Sequence, residues 1–167
     1  MEPVKNQQLL IHAFAEFVKE HEDYKLEFFG KGSLEEELWE LAKALGIEEK
    51  VVFHGFCANV KEKIHDSSMF VLCSNYEGVS NSMIEALAMG IPVIATDCPV
   101  GGARSCIKHG ENGLLIPVGD QEALTKCMIE LAENNELSER LSVNAEKIRE
   151  KCTVERIANQ MLQALEI

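Results

Sequence analysis

The chain opens with apolar positions spaced three and four residues apart, and this pattern predicts a helix over residues 6–20 with Asn6 as its cap. A short apolar run then predicts a strand over residues 25–29, and the turn Gly30-Lys31-Gly32 ends it. Apolar positions recur at helical spacing over residues 34–45. The first third of the chain therefore predicts helix, strand, glycine turn and helix.

Further apolar segments have the length of strands and alternate with helical patterns. These strands are predicted at residues 51–54, 68–73, 92–96 and 113–118. Helical patterns follow the second of them, at residues 82–90, and continue from residue 120 to the end of the chain. Strands with apolar side chains on both faces are typical of a parallel sheet that helices cover on each side. The sequence predicts a single α/β domain, residues 1–167, with a doubly wound parallel sheet of about five strands and helices on both faces.

The segment between the strand at 68–73 and the helix at 82–90 lies at the carboxyl edge of the predicted sheet, where open parallel sheets bind their ligands. Ser80 or Asn81 is predicted to cap the helix, and Gly78 lets a ligand approach the backbone closely. The first free amides of that helix, aided by its dipole, form a site for phosphate.

Glu85 is the only charged residue between Ser82 and Gly90, so the sequence predicts a carboxylate in apolar surroundings. Such a carboxylate needs hydroxyls, amides or a cation as partners, because burial without them is costly. Glu77 lies eight positions earlier, at most about 12 Å away along an ideal helix. This spacing is suited to placing Glu77 and Glu85 at opposite ends of a ligand whose diphosphate rests on the amides between them. A solvated Glu77 and a core ion pair for Glu85 are the alternative.

Composition and charge narrow the ligand classes. The formal net charge of -12 and the pI near 4.9 argue against general nucleic-acid binding, which requires a basic face. An anionic ligand must therefore be held by backbone dipoles or by a few placed cations. The five histidines show no paired metal spacing and no Asp-x-Asp sequence occurs, so we expect neither a metal nor another cofactor.

The cysteines and the hydropathy pattern indicate a cellular compartment. Six cysteines lie far apart without a Cys-x-x-Cys pair, mostly in apolar segments, as reduced thiols do in a cytoplasmic protein. No signal peptide opens the chain, and no apolar run approaches the length of a membrane span. We therefore expect a cytoplasmic protein.

Glu77, seven intervening residues and Glu85, within SNYEGVSNSMIEALAMGIPVIATDCPVGG, resemble the E-x7-E signature of retaining glycosyltransferases of the GT-B fold, closest to glycosyltransferase family 4. Lys5-Asn6, followed by residues 7–11, resembles the start of the helix at the family's phosphate-binding Arg/Lys pair, and Lys5 corresponds to the lysine of that pair. The segments FGKG at 29–32, VFHGF at 52–56 and HGENGLL at 109–115 resemble other loops and strand ends of the family. The resemblance covers nearly the whole chain.

The resemblance implies a Rossmann-like, donor-binding half of such an enzyme, which binds a nucleotide sugar, UDP-linked as a first expectation, for polysaccharide biosynthesis. It implies that Glu85 accepts hydrogen bonds from the ribose, that Glu77 lies beside the transferred sugar and that Lys5 neutralises the departing diphosphate. It further implies diphosphate-binding amides at Gly78, Val79, Ser80 and Asn81, and a nucleoside pocket shaped by Gly30, Lys31, Gly55 and Phe56.

The chain departs from the family pattern at its start. The arginine of the Arg/Lys pair, a strand inside the sheet and the acceptor-binding half are not in the sequence. The resemblance thus implies a hydrogen-bonding edge that stays open unless another element covers it, and little or no transferase activity for this chain alone. A glycan or lipid-linked acceptor, and any contact with the inner face of a membrane, would be reached through the other half. Arg104 has no predicted role.

Two other functions are open. Half of a GT-B sugar-nucleotide epimerase would bind a similar donor without an acceptor, but the run EGVSN into a helix with Glu85 eight positions after Glu77 favours the transferase. A non-catalytic α/β module of receiver or flavodoxin type would need an acidic pair or a flavin loop, and Asp97 is the only aspartate at a predicted strand end.

Overall fold

The structure, a computed structural model, describes residues 1–153, 158–159 and 162–163. The strands are β1 Leu26–Phe28, β2 Val51–Phe53, β3 Phe70–Leu72, β4 Val93–Thr96 and β5 Leu114–Ile116. The helices are α1 Gln7–Phe17, α2 Glu35–Ala44, α3 Val60–Ile64, α4 Asn81–Ala88, α5 Gly102–Cys106, α6 Gln121–Glu133, α7 Asn135–Ala145 and α8 Ile148–Lys151, with short 3-10 turns at Pro3–Lys5 and Glu48–Lys50. Part of the helical pattern predicted after residue 153 lies outside the described residues.

The five strands are parallel, as predicted, and they form two hydrogen-bonded sets. β1 pairs with β2, and Glu27 lies opposite Val52 in that register. β4 lies between β3 and β5, with Ile94 opposite both Val71 and Leu114. No ladder joins β1 to β3 within the residues described. β1 and β2 therefore form one hydrogen-bonded set, and β3, β4 and β5 form the other.

Helices cover both faces of the sheet, and β4 shows this most clearly because all its residues are buried. Ile94 belongs to the apolar cluster built around α1, α2 and α6, whereas Val93 and Ala95 belong to the cluster built around α4 and α8. Successive side chains of a strand point to opposite faces, so the two clusters lie on opposite sides of β4. The α/β class with helices on both faces is therefore confirmed.

The start of α1 differs from the prediction. Asn6 precedes the helix, but its backbone is left-handed, with φ 48° and ψ 43°, and its side chain makes no capping bond. A capping residue normally has an extended backbone, which aims its side chain at the free amides of the helix. The Asn6 amide instead donates to Asn75 Oδ1 at 2.9 Å. The prediction that Asn6 caps α1 is wrong, and α1 ends at Phe17, earlier than expected.

None of the helices in the described part of the chain combines the length and the apolar character that crossing a membrane requires.

Candidate functional site

The loops that follow β1 and β2 meet at the carboxyl edge of the sheet. The Gly30 amide donates to the Gly55 carbonyl at 2.7 Å, and both glycines have positive φ, 107° and 65°. Such backbone angles favour glycine because a Cβ would strain them. The structure thus brings together the two turns that were predicted to shape a nucleoside pocket. Next to them, Lys31 is exposed and Phe56 is 79% exposed.

The loop that follows β3 brings the two predicted catalytic residues into contact. Lys5 Nζ donates to Glu77 Oε2, and Ser74 Oγ donates to the same oxygen at 3.2 Å. The side chains are 39% exposed for Lys5 and 21% exposed for Glu77, so both remain accessible to a ligand from solvent. A cation and a carboxylate therefore lie side by side at the end of β3.

Residues 4–6 are tied to this loop by an arrangement that we call the N-terminal clasp, made of Val4, Lys5 and Asn6 with Cys73, Asn75 and Glu77. The Asn75 amide donates to the Val4 carbonyl at 2.8 Å, and the Asn6 side chain donates to the Asn75 side chain. Cys73 Sγ donates to the carbonyls of Lys5 and Asn6, each at 3.2 Å. Burial raises the pKa of the Cys73 thiol to about 12, so the thiol stays protonated and remains a donor.

The first turn of α4 has its backbone amides free of side-chain caps. Ser80 holds the capping position with an extended backbone, φ -77° and ψ 124°, but it makes no side-chain capping bond. Its hydroxyl lies 3.0 Å from Ser82 Oγ instead. The helix begins at Asn81, and the preceding Gly78 and Val79 are exposed. The first amides of a helix have no partners inside it, so these groups are available to an anion.

The loop that follows β4 packs directly against the loop that follows β3. A Cβ on Gly102 would lie 1.9 Å from the Gly78 carbonyl oxygen and 2.7 Å from the Val79 nitrogen, so only glycine fits there. Buried Thr96 adds a second tie, since its hydroxyl donates to the Ser74 carbonyl at 2.6 Å. Sequence reasoning missed both positions. The one available signal was a polar residue at the end of an apolar strand.

Glu85 is not buried, and that prediction is wrong. Its side chain is 47% exposed, and Glu85 Oε1 lies 3.1 Å from Nζ of Lys61, which is on α3. Met83, Ala86 and Leu87 form the buried face of α4, so Glu85 lies on a different face of the same helix. The carboxylate therefore meets solvent and a lysine at the surface.

Arg104, to which the sequence assigns no role, lies in the short helix α5. Its Nε donates to Asp97 Oδ1 at 2.5 Å, and the two side chains are 53% and 35% exposed. Asp97 follows β4, so this ion pair lies on the loop that packs against Gly78. In the described part of the chain, no group of three or more His, Cys, Asp or Glu residues is placed to hold a metal ion.

The chain matches one protein family over most of its length. The family described as "Glycosyl transferases group 1" matches residues 1–148. The putative glycosyltransferase EpsD of Bacillus subtilis is 35% identical over 159 residues, which cover 93% of this chain and 41% of EpsD. The chain thus spans less than half the length of this relative.

Solved structures share the fold. A variant of S. aureus TarM, in complex with fondaparinux, alpha-GlcNAc-glycerol and UDP, matches with a TM-score of 0.91 at 28% identity, over 98% of this chain and 33% of TarM. The C-terminal domain of the glycosyl transferase group 1 family protein LpcC from Francisella tularensis matches with a TM-score of 0.79 at 22% identity, over 91% of this chain and 81% of that domain. The fold is that of the carboxyl-terminal half of GT-B glycosyltransferases.

Proposed function

Because the chain belongs to the glycosyl transferases group 1 family, we propose that it is the donor-binding half of a retaining glycosyltransferase, which transfers a sugar from a nucleotide diphosphate sugar to a glycan or lipid-linked acceptor. Residues 1–167 act as one nucleotide-sugar-binding domain in the cytoplasm, and the acceptor is held by another part of a longer enzyme. The observation that carries the proposal is the uncapped start of α4 beside the Lys5–Glu77 pair.

The diphosphate of the donor lies on the amides of residues 78–81. The first free amides of α4 and the helix dipole attract it, and this matters in a chain whose formal net charge is -12. Lys5 is the nearby cation on the N-terminal side. A bound diphosphate competes with Glu77 for the Lys5 ammonium, which is 39% exposed and therefore free to turn toward it. Lys5 then neutralises charge that develops on the leaving diphosphate.

Glu85 binds the ribose hydroxyls, by analogy with the second glutamate of the E-x7-E signature. The sequence suggested that Glu85 is buried and needs ribose hydroxyls as partners. The observed exposure supports the same role for another reason, because an exposed carboxylate on α4 is accessible to a ligand. The pair with Lys61 does not oppose it. An ion pair between exposed side chains is worth about 0–1 kcal/mol, so sugar hydroxyls can join or replace the ammonium.

The nucleoside and the sugar lie on either side of the diphosphate. The turns at Gly30, Lys31, Gly55 and Phe56 shape the nucleoside pocket, and Glu77 lies beside the transferred sugar. UDP is the proposed nucleotide, because the TarM structure with a TM-score of 0.91 is a complex with UDP. Polysaccharide biosynthesis is the proposed pathway.

Calorimetric titration with UDP tests the proposal on three variants of this chain. Hydrogen bonds to a charged group contribute about 1.5–3 kcal/mol, so Glu85→Ala should weaken UDP binding about 10- to 100-fold. Glu77→Ala should weaken binding of a UDP-sugar more than binding of UDP. Glu122→Ala is the matched control, because Glu122 is an exposed carboxylate paired with a lysine on α6.

Two results would overturn the assignments. Parent-like UDP affinity in Glu85→Ala would remove the ribose role. Equal losses of UDP and UDP-sugar affinity in Glu77→Ala would remove the sugar-side role of Glu77. A fall in affinity of the same size for Glu122→Ala would show that the loss at Glu85 is not specific to its position, because removing one carboxylate from a chain of net charge -12 should not by itself weaken the binding of an anion.

A further inference from the structure

We propose that Asn6 and Asn75 are positioning residues that hold the Lys5 ammonium where a donor diphosphate needs it. This inference rests on the proposed function and identifies the part of the fold that positions Lys5 to bind the diphosphate. Its basis is the N-terminal clasp, in which the side chains of Asn6 and Asn75 join two segments 69 positions apart along the chain.

The clasp contacts alternate along the segment that leaves β3. Residues 73, 75 and 77 each contact the segment 4–6: Cys73 through its thiol, Asn75 through its amide and side chain, and Glu77 through its carboxylate. The segment bends at residues 75 and 76, so these contacts come from a loop and not from one face of a strand. Three residues of this loop therefore hold the backbone of residues 4–6 and the side chain of Lys5.

Asn6 gives the clasp its backbone geometry. It is the only residue other than glycine with a positive φ in the described part of the chain. Asparagine tolerates the left-handed conformation better than most residues, yet a position of this kind still costs on the order of 1 kcal/mol. The turn at Asn6 separates the 3-10 turn that carries Lys5 from α1. Its amide, bonded to Asn75 at 2.9 Å, holds this turn against the loop after β3.

Fixing the backbone matters because the lysine side chain is flexible. Ordering a lysine costs up to about 2 kcal/mol of side-chain entropy, and a mobile backbone would add to that cost when a ligand binds. The clasp fixes the backbone of Lys5 before a ligand binds, and the contact with Glu77 orders the lysine side chain. A diphosphate therefore meets a cation that is already in place.

A clasp that only stabilises the fold and a clasp that positions Lys5 predict different changes in ligand affinity when an asparagine is replaced. A structural role affects the stability of the fold and changes the affinity of every ligand alike. A positioning role acts through Lys5, so it changes the affinity of ligands with phosphate and disappears when Lys5 is removed. A double-mutant cycle separates the two.

The experiment measures the affinity of the chain for UDP and for uridine by NMR titration, in the parent and in Lys5→Met, Asn75→Ala, Asn6→Gly and the double variant Lys5→Met/Asn75→Ala. Glycine at position 6 keeps the left-handed backbone without strain and removes the amide. Asn144→Ala is the matched control, because the Asn144 side chain donates to the Glu111 carbonyl at 2.9 Å in another part of the chain. Thermal unfolding of each variant reports the stability of the fold.

We expect Asn75→Ala and Asn6→Gly each to weaken UDP binding about 3- to 10-fold and to leave uridine binding unchanged. The double variant should bind UDP no more weakly than Lys5→Met, and Asn144→Ala should bind both ligands as the parent does. Additive losses in the double variant, equal losses for UDP and uridine, or unchanged UDP binding in both asparagine variants would overturn the inference. If Lys5→Met itself binds UDP normally, the proposed phosphate role of Lys5 fails, and the inference fails with it.

Discussion

Replacing Gly102 with alanine tests whether the loop after β4 supports the proposed phosphate loop. The added Cβ would lie 1.9 Å from the Gly78 carbonyl oxygen and 2.1 Å from the Gly78 carbonyl carbon. Real Cβ atoms essentially never approach a heavy atom within 3.0 Å, so the loops must separate by at least 3.0 minus 1.9, or 1.1 Å. Both partners are backbone, and no side-chain rotation can relieve the contact.

The cost of Gly102→Ala follows from this overlap. Overpacking of this kind typically costs about 1–3 kcal/mol, and the lower entropy of an unfolded alanine offsets about 0.4–1 kcal/mol of it. Gly102 has no positive φ, so backbone strain adds nothing. We expect a net loss of about 1–2 kcal/mol, which lowers the unfolding temperature of a chain of this length by about 2–8 °C. Because the separation of the two loops displaces Gly78 and Val79, the affinity for UDP should fall about tenfold or more.

Gly78→Ala is the matched substitution in the same contact. A Cβ on Gly78 would meet no atom within 4 Å, and its φ is not positive. The fold should therefore keep its stability, while UDP binding falls because the methyl group lies where the diphosphate approaches the backbone. Differential scanning calorimetry and UDP titration measure both quantities. A Gly102→Ala variant with the unfolding temperature and UDP affinity of the parent would refute the packing argument.

Three further predictions follow from single contacts. Thr96→Val should lose about 1 kcal/mol in urea unfolding and Thr96→Ser should lose less, because the Thr96 hydroxyl donates to the Ser74 carbonyl; a fully stable Thr96→Val would contradict this. The pKa of the Cys73 thiol in the folded chain, about 12, lies above its ordinary value of 9.0. The stabilisation that the protonated thiol gives to the fold is therefore complete below pH 9, and the free energy of unfolding falls by about 1.4 kcal/mol per pH unit as pH rises toward 12. Cys73→Ala should lack this slope in pH-dependent unfolding, and an unchanged slope would disprove the assignment. Lys61→Gln should change the free energy of unfolding by less than about 1 kcal/mol, since its ion pair with Glu85 is exposed; a larger loss would mean that the pair supports the fold.

Local patterns in the sequence predict the strands and helices well, because apolar spacing reflects which face of an element is covered. They do not predict which strands pair. The apolar run at residues 92–96 predicts a buried strand, but it does not predict that β4 lies between β3 and β5. Pairing depends on neighbours that are distant along the chain, and the apolar pattern of a strand does not identify them.

Glu85 shows the same limit inside one helix. The sequence surrounds it with apolar residues, but helical geometry sends Met83, Ala86 and Leu87 to the core and leaves Glu85 at the surface. Apolar neighbours along the chain therefore do not imply that a helical residue is buried. The contact between Lys5 and Glu77, 72 positions apart, has no local signal either. A resemblance to a family could place both residues near a donor, but it could not predict that they touch.

Mapping the UDP-binding site by NMR tests whether the uncapped start of α4 holds the diphosphate of a nucleotide. We expect UDP to cause saturable shifts of the amide signals of Gly78, Val79 and Asn81. The amide signals of Gly30 and Gly55, in the nucleoside turns, should shift with them. Sodium diphosphate without the nucleoside should shift only the first group. Saturable UDP binding that leaves the amides of residues 78–81 unperturbed would contradict the claim.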